Sequence, residues 1–147
     1  MDDSWLDRYA DAWVLHRVAG TTEGEDEPQS LLSFFSSKVR YEDVPSATLF
    51  EGHAGITQMC DLANQWSSDL GFTVLTRQTD GSQFSFETET TGTNSSPLGD
   101  LPATGRTFVL RGVSVGRVDD RGFVREHCDY WDMGSFLVQI GVLPPLI

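Results

Sequence analysis

The sequence predicts an α+β domain in which helices cover one face of a curved, mainly antiparallel sheet. Helical periodicity dominates the chain up to Leu70, whereas alternating strand patterns separated by turn sequences fill the part that follows. The length of 147 residues suffices for one domain with a single core and is short for two. Apolar residues at 39% and aromatic residues at 11% are typical of a globular chain with bulky core material.

Three helices are predicted in the N-terminal half of the chain. The first follows capping residues at 2–4 and ends before Gly20, with apolar residues recurring every three to four positions. An acidic loop at residues 21–27 precedes the second helix, which begins at Pro28. The third helix covers roughly residues 54–70 and has one apolar face. The residues of that face are Ile56, Met59, Cys60, Ala63 and Trp66.

Strand patterns account for most of the remaining chain. The predicted strands cover residues 38–44, 48–51, 72–79, 83–93, 107–118 and 123–132. Turn sequences at 80–81 and 119–122 suit tight antiparallel connections between neighbouring strands. Asp132 follows the last strand and is predicted to cap a short terminal helical turn.

The chain is strongly acidic, with a formal net charge of −12 and an isoelectric point near 4.4. This charge repels nucleic-acid phosphates and anionic lipid surfaces, so neither nucleic acid nor a membrane is expected as a main partner. No apolar run approaches the roughly 20 residues of a membrane-spanning helix, and the acidic N-terminus is unlike a basic signal peptide. We therefore expect a soluble, cytoplasmic protein.

The cysteine and histidine content argues against a disulfide framework and against a metal site. Cys60 lies in a helical pattern and Cys128 in a strand, so both thiols are expected to be reduced. The three histidines show no metal-ligand spacing, and the chain lacks a CxxC motif. No metal ion is therefore expected.

The last predicted strand carries residues suited to acid/base chemistry. His127 and Asp129 are two residues apart, so their side chains point to the same face of the strand. If that face lines a cavity, burial can shift the pKa values of the pair toward neutrality. Phe123 and Trp131 share this face, which is more typical of a pocket wall than of a solvated surface. An alternating polar strand at a sheet surface would show the same residues without any function.

The neighbouring strand carries Arg111, whose face is shared by Val109, Val113 and Val115. If the valine face is concave, Arg111 points into the same interior as Asp129 and favours the ionised form of that carboxyl group. Arg111 could equally be a structural counter-ion. The opposite face would then be apolar enough to form the interface of a homodimer. Its residues are Phe108, Leu110, Cys128 and Tyr130.

Large side chains elsewhere are candidates for the apolar wall of a ligand cavity. Each of them, taken singly, is more often a core residue than a ligand contact. These residues are Trp13, Tyr41, Met59, Trp66, Phe86 and Trp131. Asp43 follows a strand near the expected mouth of the cavity, where it is either an alternative base or a turn and capping carboxylate.

Two longer motifs, together with the order of helices and strands, point to a known family. They are Gly-Thr at 92–93 with Leu-Pro-Ala-Thr-Gly-Arg at 101–106, and Gly-Phe-Val-Arg-Glu-His at 122–127 with Asp132 and Gln-Ile-Gly-Val-Leu-Pro at 139–144. Over nearly the whole chain, the sequence resembles the SnoaL-like polyketide cyclases of the nuclear-transport-factor-2-like superfamily. The resemblance implies a cone-shaped α+β barrel, in which a curved antiparallel or mixed sheet wraps on three N-terminal-half helices.

The resemblance also implies a reaction, namely the cofactor-free aldol closure of an apolar, carbonyl-bearing polycyclic metabolite. In these cyclases an Asp on the last long strand is the general acid/base and a His precedes it by two residues, which Asp129 and His127 match. The reaction takes a proton from a carbon acidified by carbonyl groups and delivers one to the forming alkoxide. Because the superfamily also contains non-catalytic proteins, a protein that only binds a small ligand or dimerises is the alternative.

Two other groups of the superfamily provide further alternatives. Limonene epoxide hydrolases resemble the chain through an Arg and an Asp matched by Arg111 and Asp129, but Val113 stands where they need a second Asp. Ketosteroid isomerases resemble it through Tyr9 as the oxyanion donor and Asp43 as the base. Ser114 stands at the position of their protonated Asp donor, and the parity of Arg111 puts Ser114 on the outer face. Epoxide opening and steroid isomerisation are therefore minor alternatives.

Overall fold

The computed structural model describes residues 1–19 and 30–147, and for residues 15–19 it describes the backbone alone. The strands are β1 (Phe35–Asp43), β2 (Thr48–Glu51), β3 (Gly71–Asp80), β4 (Gln83–Thr93), β5 (Thr107–Val118) and β6 (Val124–Trp131). Within the described residues they form one six-stranded, curved sheet in the order β2-β1-β6-β5-β4-β3. Of the strands described, only β1 and β6 pair in parallel, so the sheet is mixed. The predicted fold class, helices on a curved mixed sheet, is confirmed.

Three α-helices accompany the sheet in the described ranges, α1 (Asp3–Ala19), α2 (Gly52–Trp66) and α3 (Met133–Gln139). The predicted caps are present, because the carboxylate of Asp2 accepts a hydrogen bond from the backbone N–H of Trp5 over 2.8 Å. Asp132 likewise accepts one from the backbone N–H of Ser135 over 2.8 Å. None of the helices described is both long and apolar enough to span a membrane.

The predicted second helix is not found in the described part of its range. Residues Leu31–Phe34 form a single 3-10 turn, and Phe35 already begins β1. Leu31 and Phe34 are buried together with Phe35, so the apolar cluster that suggested a helix face is the buried entry into a strand. Pro28 and the predicted acidic loop at 21–27 lie outside the described residues.

Five of the six predicted strands agree with those observed to within one residue at each end, whereas the strand predicted at 38–44 is observed at Phe35–Asp43 and begins three residues earlier. Residues 48–51, 83–93 and 107–118 are confirmed at both ends, while β3 is one residue longer and β6 one residue shorter at each end. The third predicted helix was expected to reach residue 70, but α2 ends at Trp66. Asp69 accepts hydrogen bonds from the backbone N–H and the hydroxyl of Thr93, at 2.8 and 2.7 Å, which ties this segment to β4.

Among the residues that the structure describes, the core consists of two clusters of buried apolar side chains. The larger one packs α1 and α2 against the sheet, and the smaller one packs α3 against β5. The smaller cluster is formed by Leu70, Phe108, Leu110, Phe136 and Ile140. Close packing beside the larger cluster requires a glycine in β5, since a Cβ at Gly116 would strike the ring of Phe84 and lie 2.5 Å from the Glu126 carbonyl oxygen.

The face assignment predicted for β5 is wrong. Phe108, Leu110 and Ser114 are buried, whereas Val109 and Val113 are 52% and 41% exposed. Valine favours strands on either face of a sheet, so a row of valines does not identify the concave side. Phe108 and Leu110, expected at an outer interface, therefore belong to the core, and Ser114 lies on the concave face.

Candidate active site

His127 and Asp129 of β6 share one face of the strand, as their spacing predicts, and this face is the concave one that borders the cavity. Asp129 is directly opposite Ser114 in the antiparallel β5–β6 pair. Tyr41 of β1 is level with His127 and stacks on its imidazole, with ring centroids 4.6 Å apart and planes at 9°. The register of three neighbouring strands therefore gathers four polar side chains at one point of the concave face.

Three side chains surround the carboxylate of Asp129 with hydrogen bonds. Oγ of Ser114 donates to Oδ1 over 2.5 Å, and Nε2 of His127 lies 2.9 Å from the same oxygen. The hydroxyl of Tyr41 donates to Oδ2. The Asp129 side chain nevertheless keeps 21% of its surface exposed. Its oxygens are thus held in place while part of the group stays open to the cavity described below.

These partners hold Asp129 in its ionised form. Burial by itself raises the pKa of this carboxyl group, because it disfavours the charged state. Electrostatic attraction to His127 and the hydrogen bonds from His127, Ser114 and Tyr41 outweigh burial and lower the pKa to about 2. Asp129 therefore carries its negative charge throughout the neutral pH range.

His127 is 1% exposed and is enclosed by aromatic rings. In addition to the stacked ring of Tyr41, the ring of Trp13 lies 5.3 Å from the imidazole, centroid to centroid. The hydroxyl of Tyr9 lies 2.8 Å from Nδ1 of His127. Burial raises the pKa of Tyr9 well above 10, so this phenol stays protonated. Each nitrogen of the His127 ring therefore has a hydrogen-bond partner.

A cavity of about 350 Å³ lies between α1, α2 and the concave face of the sheet. All six wall residues predicted from the sequence border it, namely Trp13, Tyr41, Met59, Trp66, Phe86 and Trp131. Further apolar walls come from Phe50, Leu62, Phe72, Leu98 and Leu110. His127, Asp129 and Ser114 provide polar groups at its floor. An apolar ligand with a small number of polar atoms suits such a cavity.

The position predicted for Arg111 is wrong. Its side chain is 63% exposed, and its guanidinium pairs with the carboxylates of Glu89 at 2.8 Å and Glu87 at 4.0 Å. Glu89 is directly opposite Arg111 in the β4–β5 pair, on the outer face of the sheet. Arg111 borders the cavity as part of the wall-forming strand, but its charged group does not share the face of Asp129.

Asp43, matched above to a base, borders the cavity, but both of its carboxylate oxygens accept hydrogen bonds from neighbouring side chains. Oδ1 of Asp43 accepts a hydrogen bond from Nε1 of Trp131 over 2.7 Å, and Oδ2 accepts one from Oγ of Ser46 over 2.6 Å. Asp43 thus fixes the ring of Trp131 at the cavity wall. Tyr9 is fully buried and is directed at His127.

Sequence reasoning missed the roles of Ser114 and Tyr9 as partners of the central pair. The register that sets Ser114 opposite Asp129 shifts between Arg117 and Val118, and such an irregularity changes which residues share a face. Tyr9 is 118 positions away from His127, and no local pattern reveals so distant a contact. In the residues described, no group of three or more His, Cys, Asp or Glu side chains could hold a metal ion.

Helices packed on a curved mixed sheet, around an apolar cavity with polar groups at its floor, have the fold that solved structures name ketosteroid-isomerase-like or nuclear-transport-factor-2-like. The chain belongs to the SnoaL-like domain family, whose model matches residues 8–127. No curated protein matches the sequence significantly.

Solved structures share the fold at low sequence identity. TsrD from Streptomyces laurentii has a TM-score of 0.81 at 18% identity, over 97% of this chain and 99% of that one. IdmH, a candidate polyketide cyclase from Streptomyces antibioticus, has a TM-score of 0.73 at 19% identity, over 92% and 98%. A candidate SnoaL-like polyketide cyclase from Jannaschia sp. CCS1 has a TM-score of 0.72 at 15% identity, over 95% and 94%. At these identities the likeness shows the fold alone.

Proposed function

We propose that this chain is a cofactor-independent enzyme of secondary metabolism, acting in the cytoplasm on an apolar, carbonyl-bearing polycyclic metabolite. The proposed reaction is an aldol-type ring closure or a related isomerisation. The observation that carries the proposal is an ionised carboxylate, that of Asp129, at the floor of a largely apolar cavity. Membership of the SnoaL-like family supports the choice of reaction class.

In the proposed mechanism, Asp129 is the group that exchanges protons with the substrate. Its carboxylate takes a proton from a carbon flanked by carbonyl groups, and the electrons of the C–H bond form an enolate. The enolate carbon bonds to a second carbonyl carbon, whose oxygen becomes an alkoxide. Asp129 then returns its proton to the alkoxide, so the carboxylate is regenerated and no co-reactant is consumed.

The hydrogen bonds to Asp129 restrain its geometry and also weaken it as a base. A carboxylate with a pKa of about 2 attracts a proton poorly in the empty site. An apolar ligand that fills the cavity removes water from the exposed part of Asp129, and desolvation raises the pKa of a carboxyl group. Ligand binding therefore strengthens the base at the moment at which it is needed.

The cavity also supports the proposed class of ligand. Its volume of about 350 Å³ lies within the range of roughly 300–1,000 Å³ that is usual for small-molecule sites. The rings of Trp13, Trp66 and Trp131 border it and suit contact with a flat, fused-ring molecule. In the proposed reaction, such a molecule has to direct the acidified carbon between its carbonyl groups toward Asp129.

A protein that binds a ligand without catalysis is the second candidate. The specific observation that favours it is the engagement of both Asp129 oxygens by Ser114, His127 and Tyr41. A carboxylate held so firmly could serve as a fixed anion that orients a ligand. Binding without conversion is the expected behaviour in that case.

Epoxide opening and steroid isomerisation are less well supported. Arg111 is directed to the outer face, and Val113 cannot act as the second carboxylate of an epoxide hydrolase. Ser114 does lie on the concave face, in contrast to the sequence expectation, but a serine hydroxyl is a much weaker acid than a protonated aspartate. The hydroxyl of Tyr9 is directed at His127 and not into the cavity, so the oxyanion donor of the isomerase match is missing from the cavity.

A thermal-shift screen followed by a conversion assay tests the proposal. Wild type, Asp129→Asn and the exposed control Asp61→Asn are incubated with polycyclic polyketides, ketosteroids and terpene epoxides. A ligand that binds only the folded state raises its melting temperature. We expect polyketides to stabilise all three proteins and to be converted by wild type and Asp61→Asn, but not by Asp129→Asn. Binding without conversion by any of them would favour the non-catalytic candidate.

We also propose a homodimer formed through the outer face of the sheet. Val109, Val113 and Tyr130 are exposed on this face, at 52%, 41% and 48%. Apolar side chains that face solvent on a sheet surface are typical of protein interfaces. Sedimentation at micromolar concentration is expected to show a dimer, and a monomer would reject the proposal.

A further inference from the structure

We propose that Tyr9 is a positioning residue, whose hydroxyl donates to Nδ1 of His127 and directs the proton on Nε2 at the carboxylate of Asp129. The inference deepens the proposed function and rests on it for its catalytic consequence. The hydrogen-bond arrangement itself can be measured on the protein alone, so the inference about Tyr9 and the proposed function can fail separately.

The contact that suggests this role is buried and specific. Oη of Tyr9 lies 2.8 Å from Nδ1 of His127, and neither side chain is more than 1% exposed. Tyr9 comes from α1, whereas Asp129 contacts the opposite nitrogen of the same ring at 2.9 Å. The imidazole therefore links a helix residue that does not border the cavity to a carboxylate that does.

The direction of the hydrogen bond follows from what each group can donate. The deeply buried phenol of Tyr9 keeps its proton, and a buried hydroxyl proton needs an acceptor. In the part of the chain described here, Nδ1 of His127 is the acceptor that it contacts. A nitrogen that accepts carries no proton, so the proton of the neutral imidazole is on Nε2 and is donated to Oδ1 of Asp129.

The surrounding rings make this arrangement rigid. Tyr41 stacks on the imidazole at 4.6 Å, and Trp13 and Phe84 lie 5.3 and 5.9 Å from it, centroid to centroid. The opposite tautomer would set the lone pair of Nε2 against a carboxylate oxygen, which is unfavourable. Tyr9 supports the favourable tautomer from the other side, because it satisfies the lone pair of Nδ1.

The consequence for the site concerns which oxygen of Asp129 can react. Oδ1 accepts from both Ser114 and His127, which occupies its two lone pairs. Oδ2 accepts from Tyr41 alone among the described residues, so one of its lone pairs is left for a substrate proton. Tyr9, acting through His127, thus helps to present Oδ2 and not Oδ1 to the ligand.

Nitrogen NMR of the histidine rings, with carbon NMR of the Asp129 carboxyl group, tests the inference without a substrate. The chain has three histidines and three tyrosines, so His127 can be assigned by substitution and Tyr130→Phe, on the outer face, is a matched control. In wild type we expect Nε2 of His127 to carry a proton and Nδ1 to carry none. In Tyr9→Phe we expect the Nδ1 resonance to move and the carboxyl titration of Asp129 to shift to higher pH, while Tyr130→Phe changes neither.

Two results would overturn the inference. A proton on Nδ1 of His127 in wild type would mean that Tyr9 does not donate to it, and this result needs no variant to fold. An Nδ1 resonance and an Asp129 titration that are the same in folded Tyr9→Phe as in wild type would mean that Tyr9 only fills space. Neither result bears on whether Asp129 acts on a substrate, which the conversion assay decides.

Discussion

Ser114 lies directly opposite Asp129 in the β5–β6 pair, and its hydroxyl donates to Asp129 Oδ1 over 2.5 Å. The two side chains come from neighbouring strands, so the sheet itself sets their separation. This bond helps to keep the carboxylate ionised and oriented at the cavity floor. The sequence pattern had predicted Ser114 on the opposite, outer face of the sheet.

Removing the hydroxyl of Ser114 is expected to destabilise the protein and to raise the pKa of Asp129. A hydrogen bond to a charged group contributes about 2 kcal/mol to stability, so Ser114→Ala should lower the free energy of unfolding by about that amount. Ser85→Ala, on the outer face of β4, is the control and should change it by less than about 0.5 kcal/mol. Urea unfolding near neutral pH measures the free energy of unfolding of both variants. Equal losses in Ser114→Ala and Ser85→Ala would contradict the role given to Ser114.

The lowered pKa of Asp129 predicts a contribution to stability that acid removes. Because the pKa is 3.8 for the free side chain and about 2 in the folded protein, the unfolded state binds the proton more readily. The contribution of about 2 kcal/mol is therefore complete above about pH 5 and disappears as the pH falls from about 4 to about 2. The stability advantage of wild type over Asp129→Asn should shrink accordingly in urea unfolding. An advantage that stays constant over this range would rule out the low pKa.

Arg111 is expected to be dispensable for ligand binding. Its ion pairs with Glu89 and Glu87 are exposed, and such pairs contribute up to about 1 kcal/mol to stability. Arg111→Gln should therefore leave the ligand-induced rise in melting temperature unchanged, whereas Trp131→Leu, at the cavity wall, should reduce it. A loss of ligand binding in Arg111→Gln, with the fold intact, would restore the sequence-based expectation.

Gly116 is expected to tolerate no side chain. A Cβ there would meet the ring of Phe84 and the carbonyl oxygen of Glu126, and overpacking of this kind costs about 1–3 kcal/mol. Gly134→Ala is the control, since the nearest atom to its Cβ would be Oδ1 of Asp132 at 3.4 Å. Thermal unfolding should show a lower melting temperature for Gly116→Ala than for Gly134→Ala. Equal values would show that Phe84 can move aside.

The strands were predictable because hydrophobic alternation and turn residues are local signals. Residues 83–93 and 107–118 alternate with period two, and the turns at 80–81 and 119–122 fix the start of the first strand and the end of the second. The apolar residues around Leu31–Phe34 were misread as a helix, since a short buried run fits either a helix or the entry to a strand.

The candidate site was predictable in part. The same-face placement of His127 and Asp129 follows from a period of two residues and needs no tertiary information. The face of β5 was not predictable in this way, because Val109 and Val113 suit an exposed strand surface as well as a core. The contact of Tyr9 with His127 joins the first helix to the last strand, and such long-range contacts depend on packing.

The measurement that tests the central claim most directly is hydrogen exchange at carbon in a bound ligand. A polycyclic β-dicarbonyl compound that stabilises the protein is incubated in deuterium oxide with wild type, Asp129→Asn or Asp61→Asn, and deuterium at the acidified carbon is followed by mass spectrometry. If Asp129 takes a proton from carbon, wild type and Asp61→Asn incorporate deuterium faster than buffer alone, and Asp129→Asn does not. Equal incorporation by wild type and a ligand-saturated Asp129→Asn would contradict the account.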